Sequence, residues 1–328
     1  MENNKFKSPG WGQVRKQLLG LSDEETSFAR RGFHEGNSQS RKRLEQIGRT
    51  FLLGYHAALE EDEAEALVSR LQGVDSELSS FAFEGAAMSL TMLDLLTPWK
   101  NERWLSFVRK GAHAHLYMAH AGAGWALARL KLFGKRHQSL LDPLYRFLTL
   151  TGCGHHEGFF SASRFVKDRV LPRGKLSGYG LRAFDQGLGR SLWFVDGADV
   201  ERICATVQGF SAQATRMSDI WSGIGTALAM AGPAPGRSEI EFLRKAARPY
   251  ESHLAQGAAF AAKARQRAGN QAPHTRLACE VLCETTAERA AEITDIALRN
   301  LPADREVPAY EIWRRRIQTH FSGKTATL

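Results

Sequence analysis

Apolar positions recur with helical period along nearly the whole chain. Within residues 40–58, Leu44, Ile47, Phe51 and Tyr55 fall at i, i+3, i+7 and i+11, one stripe of a helix. Residues 63–71 are short and amphipathic, and 78–96 is an apolar helix stopped by Thr97-Pro98. The period predicts one long helix over 105–132, with Gly134 as its C-cap. It predicts further helices over 182–195, 200–210, 218–230, 240–268 and 275–298. Pro249 is expected to break the 240–268 segment. Ser22-Asp23-Glu24-Glu25 reads as a capping-box start, and His274-Thr275 after Pro273 as a helix N-terminus. No run of β-branched residues alternates, so the predicted fold class is all-α.

One phrase occurs twice. Gly32-Phe33-His34-Glu35-Gly36 returns as Gly154-His155-His156-Glu157-Gly158, 122 positions later. Other pairs follow in the same order. Gly48-Arg49-Thr50 answers Gly189-Arg190-Ser191, Phe83-Glu84-Gly85 answers Trp221-Ser222-Gly223, and Gly122-Ala123-Gly124 answers Gly257-Ala258-Ala259. This order predicts an internally duplicated helical bundle with pseudo-two-fold halves, 1–136 and 137–328, forming one compact unit with an apolar pocket between them. The small residues inside these helices admit two readings, close helix–helix approach or room for a ligand against bare backbone.

The chain has 328 residues, 43% hydrophobic and 24% charged, enough for a full core. No apolar run approaches the roughly 20 residues that cross a bilayer, and the first 17 residues are polar and basic. These features predict a cytoplasmic protein that is not integral to a membrane. Cys279 and Cys283 stand four apart and read as buried thiols rather than a metal pair. The net charge of +9 is dispersed, with Arg314-Arg315-Arg316 the densest run, read as a solvated face. No nucleic-acid-binding signature accompanies it. GxGxxG after a strand, a P-loop, CxxCH and GxSxG are all absent, which lowers the weight of nucleotide, haem and serine-hydrolase chemistry.

Candidate chemistry gathers where the repeated segments differ. On a continuous 105–132 helix, His113, Tyr117 and His120 share one face, fit to carry protons or hold a metal. Glu84 lies in an apolar helix, where a carboxyl needs a partner or a raised pKa. His155-His156-Glu157 is expected in a glycine turn. Glu84, His120, His156 and Glu157 have the ligand types of an iron or manganese site. The His-Glu pairs have a structural alternative, tying a glycine turn to a helix end. Arg49 and Arg190 are expected to pair with Glu60 and Glu201, or else to form an anion site for a carrier-bound or phosphorylated substrate. Trp125, Trp193 and Trp221 either pack the core or line an apolar pocket.

Longer segments carry a resemblance. Residues 83–88 with 95–99, 117–126, 154–158, 187–199, 254–260, 273–275 and 308–314 together resemble the UnbL-type proteins of enediyne biosynthesis, a family of unknown function. The resemblance implies a bacterial gene cluster, a linear conjugated polyene from an iterative polyketide synthase as substrate, and UnbV-type and UnbU-type partners. It implies no agreed catalytic residues. From the residues themselves, Glu84, His113, Tyr117 and His120 are the catalytic candidates, and Trp125, Trp193, Trp221 and Arg190 the substrate-binding ones. A non-catalytic polyene-binding or scaffolding protein fits the same features.

Overall fold

The computed structural model describes residues 10–97, 99, 102–132, 142–172, 176–233 and 236–323. Its α-helices are α1 (Trp11–Leu19), α2 (Phe28–Arg31), α3 (Ser38–Glu60), α4 (Ala64–Gln72), α5 (Ser76–Leu96), α6 (Arg103–Lys110), α7 (Leu116–Arg129) and α8 (Arg146–Phe160). They continue as α9 (Tyr179–Val195), α10 (Val200–Gln208), α11 (Ala214–Ala231), α12 (Arg237–Ala246), α13 (Glu251–Ala268), α14 (Pro273–Leu282), α15 (Ala287–Leu298) and α16 (Ala309–Phe321). No strand occurs among the described residues, and none of these helices is long and apolar enough to cross a membrane. The fold is all-α, as the periodicity predicts.

Side-chain caps fix several helix starts. Asn37 accepts from Ser40 N at 2.7 Å to open α3, and Asp75 from Glu77 N at 2.9 Å to open α5. Pro249 separates α12 from α13, and Pro273 is the first residue of α14. Two expected helices are broken. The 105–132 segment stops at Gly111, where a Cβ would lie 2.6 Å from Val68 Cγ1, and a 3-10 turn over Ala112–His115 precedes α7. The 275–298 segment breaks at Glu284 in left-handed backbone, φ 52°, and Thr286 caps α15. Gly134 lies outside the described residues.

Helices α3, α5, α7, α8, α9, α11 and α13 pack in succession, each on the next, and α14, α15 and α16 pack on α13. The succession curves back on itself. At the end of α13, Arg265 Nη1 donates to Glu77 O at 3.3 Å, and Asn270 Nδ2 donates to Ser76 O at 2.8 Å, both at the start of α5.

Glycines set the spacing between these helices. A Cβ on Gly85 would sit 1.9 Å from Phe51 O, and one on Gly54 would sit 1.9 Å from Ala82 O. The same reciprocal contact joins Gly124 with Gly152, Gly154 with Gly187, Gly189 with Gly223, and Gly225 with Gly257, at 1.8–2.1 Å from a facing carbonyl. Two residues along a helix turn about 200°, so a Gly-x-Gly pair exposes backbone on opposite sides. Each helix can then be approached closely by both neighbours. Dispersion and Cα–H···O contacts offset the roughly 1 kcal/mol that each helical glycine costs. At these positions the small residues admit a neighbouring helix rather than a ligand.

The recurring unit is therefore a single helix with a small-x-small pair: 85/87, 122/124, 152/154, 187/189, 223/225 and 257/259. The two pentapeptides are not equivalent. Gly32 and Gly36 have φ of 67° and 57° outside regular helix, whereas Gly154 and Gly158 lie inside α8. The glycine turn expected around His155-His156-Glu157 is helix, because Gly154 meets Phe184 O and Gly158 meets Ser191 Oγ at helix-packing distance.

Candidate functional site

The small pairs also set which residues face inward. The residue after each pair is Met88, Trp125, His155, Arg190, Thr226 or Phe260, and every one lines an internal cavity. Two such cavities lie within the helix succession, each of about 50 Å³. That is room for about four waters or a few carbon atoms. The first is walled by Ile47, Phe51, Leu52, Phe81, Met88, Phe159, Phe160 and Phe194, with Glu25, Thr26, Glu84, Trp125 and His155 as its polar members. The second is lined by Tyr117, Gln186, Arg190, Ser222, Thr226, Phe260 and Tyr310 among others.

An ion pair links the two. Glu84 of α5 is 2% exposed, and Arg190 Nη2 of α9 stands 3.4 Å from its Oε1. Glu84 lines the first cavity and Arg190 the second. Burial pushes the Glu84 carboxyl up, against the Arg190 charge and the Trp125 indole, which pull it down. His155 is shifted the other way. Burial above all, then the Arg190 charge and His156, hold its imidazole well below the usual range. Both ring nitrogens of His155 are buried without hydrogen-bond partners. The lining of the first cavity thus includes a carboxyl whose proton affinity burial raises and an imidazole whose proton affinity burial lowers.

The other predicted residues scatter. His113 lies in the 3-10 turn and is exposed, its carbonyl accepting from Arg267 Nη2 at 3.0 Å. His120 Nδ1 donates to Leu116 O at 2.9 Å and its ring packs on Trp104 and Tyr145, outside both cavities. Tyr117 lines the second cavity, and burial raises its hydroxyl well above the usual range. The break at Gly111 therefore removes the shared face predicted for His113, Tyr117 and His120. Among the described residues, no three His, Cys, Asp or Glu side chains gather closely enough to hold a metal ion. Glu84, His120, His156 and Glu157 do not converge, and the donor set does not fit iron or manganese. His156 packs against Trp125 and Phe160, and Glu157 is half-buried.

Of the three tryptophans only Trp125 lines either cavity. Trp193 Nε1 donates to Gly232 O at 2.7 Å within the core, and Trp221 is buried elsewhere. Arg190 pairs with Glu84 rather than Glu201, and Arg49 stands 3.9 Å from Glu45 rather than meeting Glu60. His34 faces Asp199 at 3.5 Å, and Arg41 Nη1 donates to Glu35 at 2.5 Å, which are structural contacts.

The triple-arginine run is not a solvated face. Arg314 is fully buried, 2.8 Å from Asp219, and Arg182 bonds both Asp219 at 2.8 Å and Glu311 at 2.7 Å. Tyr179 donates to Glu311 at 2.8 Å. Three consecutive helical residues point about 100° apart, so one arginine of the run turns into the core. The network borders the second cavity, where Tyr310 donates to Gln186 at 3.3 Å. Sequence reasoning missed it, since its members come from α9, α11 and α16.

Neither a curated protein nor a solved structure matches the chain. A family model matches residues 10–321, which takes in every helix of the succession and both cavities, and the chain belongs to the family described as "Protein of unknown function (DUF1702)".

Proposed function

We propose that this chain acts in a bacterial natural-product pathway of the enediyne polyketide type, and moves protons on a linear conjugated polyene held inside its helix succession. One observation carries the reading: Glu84 and His155 line the same apolar cavity, and their surroundings push their proton affinities in opposite directions. The Glu84 carboxylic acid gives a proton to one carbon of the conjugated chain. His155 takes a proton from another, the intervening double bonds shift, and solvent exchange resets both groups. Atoms and electrons balance with no oxidant. Arg190 steadies the Glu84 carboxylate left after transfer. Aromatic walls supply the apolar contact, and the side chains between the two cavities shift to admit a full chain. The four free cysteines fit a reducing, cytoplasmic setting.

The test uses a conjugated tetraene fatty acid, whose fluorescence rises on transfer to an apolar site. Wild-type protein binds it, and in deuterated water introduces deuterium into the chain, read by mass spectrometry. Glu84→Gln keeps the fluorescence rise and loses the deuterium. Absence of binding refutes the interior site. Binding with no deuterium difference between wild type and Glu84→Gln refutes the proton-transfer role, in favour of a non-catalytic carrier.

A further inference from the structure

Phe159 and Phe160 line both the first cavity and a surface cleft of about 620 Å³. We infer that this cleft is the mouth of the cavity and that it receives a phosphate head group whose apolar chain passes between these phenylalanines. The inference rests on the interior reading above and adds the chemistry of the ligand's other end.

The cleft is basic. Arg31, Lys167, Arg169 and Arg202 line it, with Asp196 as the single carboxylate among the lining residues. Asp196 is answered by Arg202 at 3.2 Å, and Arg31 by Glu25 at 3.0 Å. Among the described residues, Lys167 and Arg169 have no carboxylate within salt-bridge distance, and Arg169 Nε is buried without a hydrogen-bond partner. Lys167 is therefore left for an anion, and Arg169, whose guanidinium lies 5.6 Å over the Phe210 ring, adds a second charge not neutralised by a carboxylate, with the Ser163 hydroxyl on the same lining.

The backbone here is irregular. Ser163–Lys167 is a turn of π-helix, and Arg169 sits in left-handed backbone at φ 55°. Both features are enriched at functional sites. Phe160 carries the Arg31 guanidinium 5.1 Å above its ring. Arg129 lies 6.0 Å from the same ring and His156 packs on it, so an anion drawing Arg31 away would loosen one of the contacts that hold Phe160 across the mouth of the cavity.

Direct binding by calorimetry tests this with four probes: dodecanol, dodecyl phosphate, inorganic phosphate, and dodecanoyl phosphopantetheine, which carries its phosphate on a long arm. Dodecyl phosphate is expected to bind at least about tenfold more tightly than dodecanol. Lys167→Gln with Arg169→Gln abolishes that advantage and leaves dodecanol binding unchanged. Phe160→Ala speeds association severalfold in stopped flow, because the ring no longer has to turn. A stronger response to dodecanoyl phosphopantetheine than to dodecyl phosphate assigns the phosphate to a carrier arm, and the reverse to a free alkyl phosphate. Equal affinity for dodecanol and dodecyl phosphate, untouched by the double substitution, overturns the inference while the interior site stands. Failure of every chain-bearing probe removes the interior site as well, and the inference with it.

Discussion

Mild acid is the sharpest perturbation of this fold. Burial lowers His115 to about 4, His156 to about 3, His253 to about 4 and His274 to about 3. An unfolded imidazole takes up its proton near 6.5. Between pH 7 and 5.5 the unfolded chain therefore gains most of a proton at each of these positions, and the folded chain does not. Each position costs the fold about 1.2 kcal/mol over that interval, and the four about 5 kcal/mol. Asp185 works against them. Burial raises it to about 6, so it gains its proton in the folded state over the same interval and returns somewhat under about 1 kcal/mol. The net loss is about 4 kcal/mol, a large share of the roughly 5–15 kcal/mol that holds an ordinary domain. It continues to grow below pH 5.5 until the folded-state values near 3–4 are reached. Urea unfolding followed by tryptophan fluorescence, at pH 7 and 5.5 and constant ionic strength, reads it directly. A stability at pH 5.5 equal to or above that at pH 7 would refute the burial of these imidazoles as neutral bases.

Other perturbations separate packing from surface. Gly154→Ala puts a Cβ 1.9 Å from Phe184 O, so α8 and α9 must part by more than about 1 Å. We expect a loss of at least about 3 kcal/mol in urea unfolding, although the same change on an exposed helix gains about 1 kcal/mol. Arg314→Leu leaves Asp219 and Glu311 short of a buried cation and should cost about 3–5 kcal/mol in the same assay, with Arg314→Lys recovering part of it. His113→Ala should change stability by less than about 0.5 kcal/mol and leave tetraene binding intact, since His113 is exposed on a turn.

Much of this fold is legible in apolar periodicity. The stripe Leu44, Ile47, Phe51, Tyr55 is buried on α3, and the Pro249 and Pro273 boundaries stand where backbone chemistry puts them. Periodicity carries no information about a single-residue change of direction. Gly111 and Glu284 each break the helix inside a segment that the period reads as continuous, so the face shared by His113, Tyr117 and His120 dissolves. The site was half legible. Glu84, Trp125 and Arg190 stand out as a buried charge, an indole and a guanidinium beside small pairs, and they do line the cavities. His155 is legible only within a motif whose glycines read as a turn. The phase of the Gly-x-Gly pairs was the available signal, since the residue one step after each pair faces inward. Arg314 escaped because a run of like charges looks solvated until its acidic partners, far along the chain, are placed beside it.

The account turns on whether a chain occupies the interior across the Glu84–Arg190 pair. A crystal structure of the protein soaked with the conjugated tetraene fatty acid decides this most directly. The account predicts continuous ligand density beginning between Phe159 and Phe160, passing Trp125 and His155, and reaching within van der Waals contact of Glu84. Density confined to the outer surface, with both cavities unchanged, would contradict it.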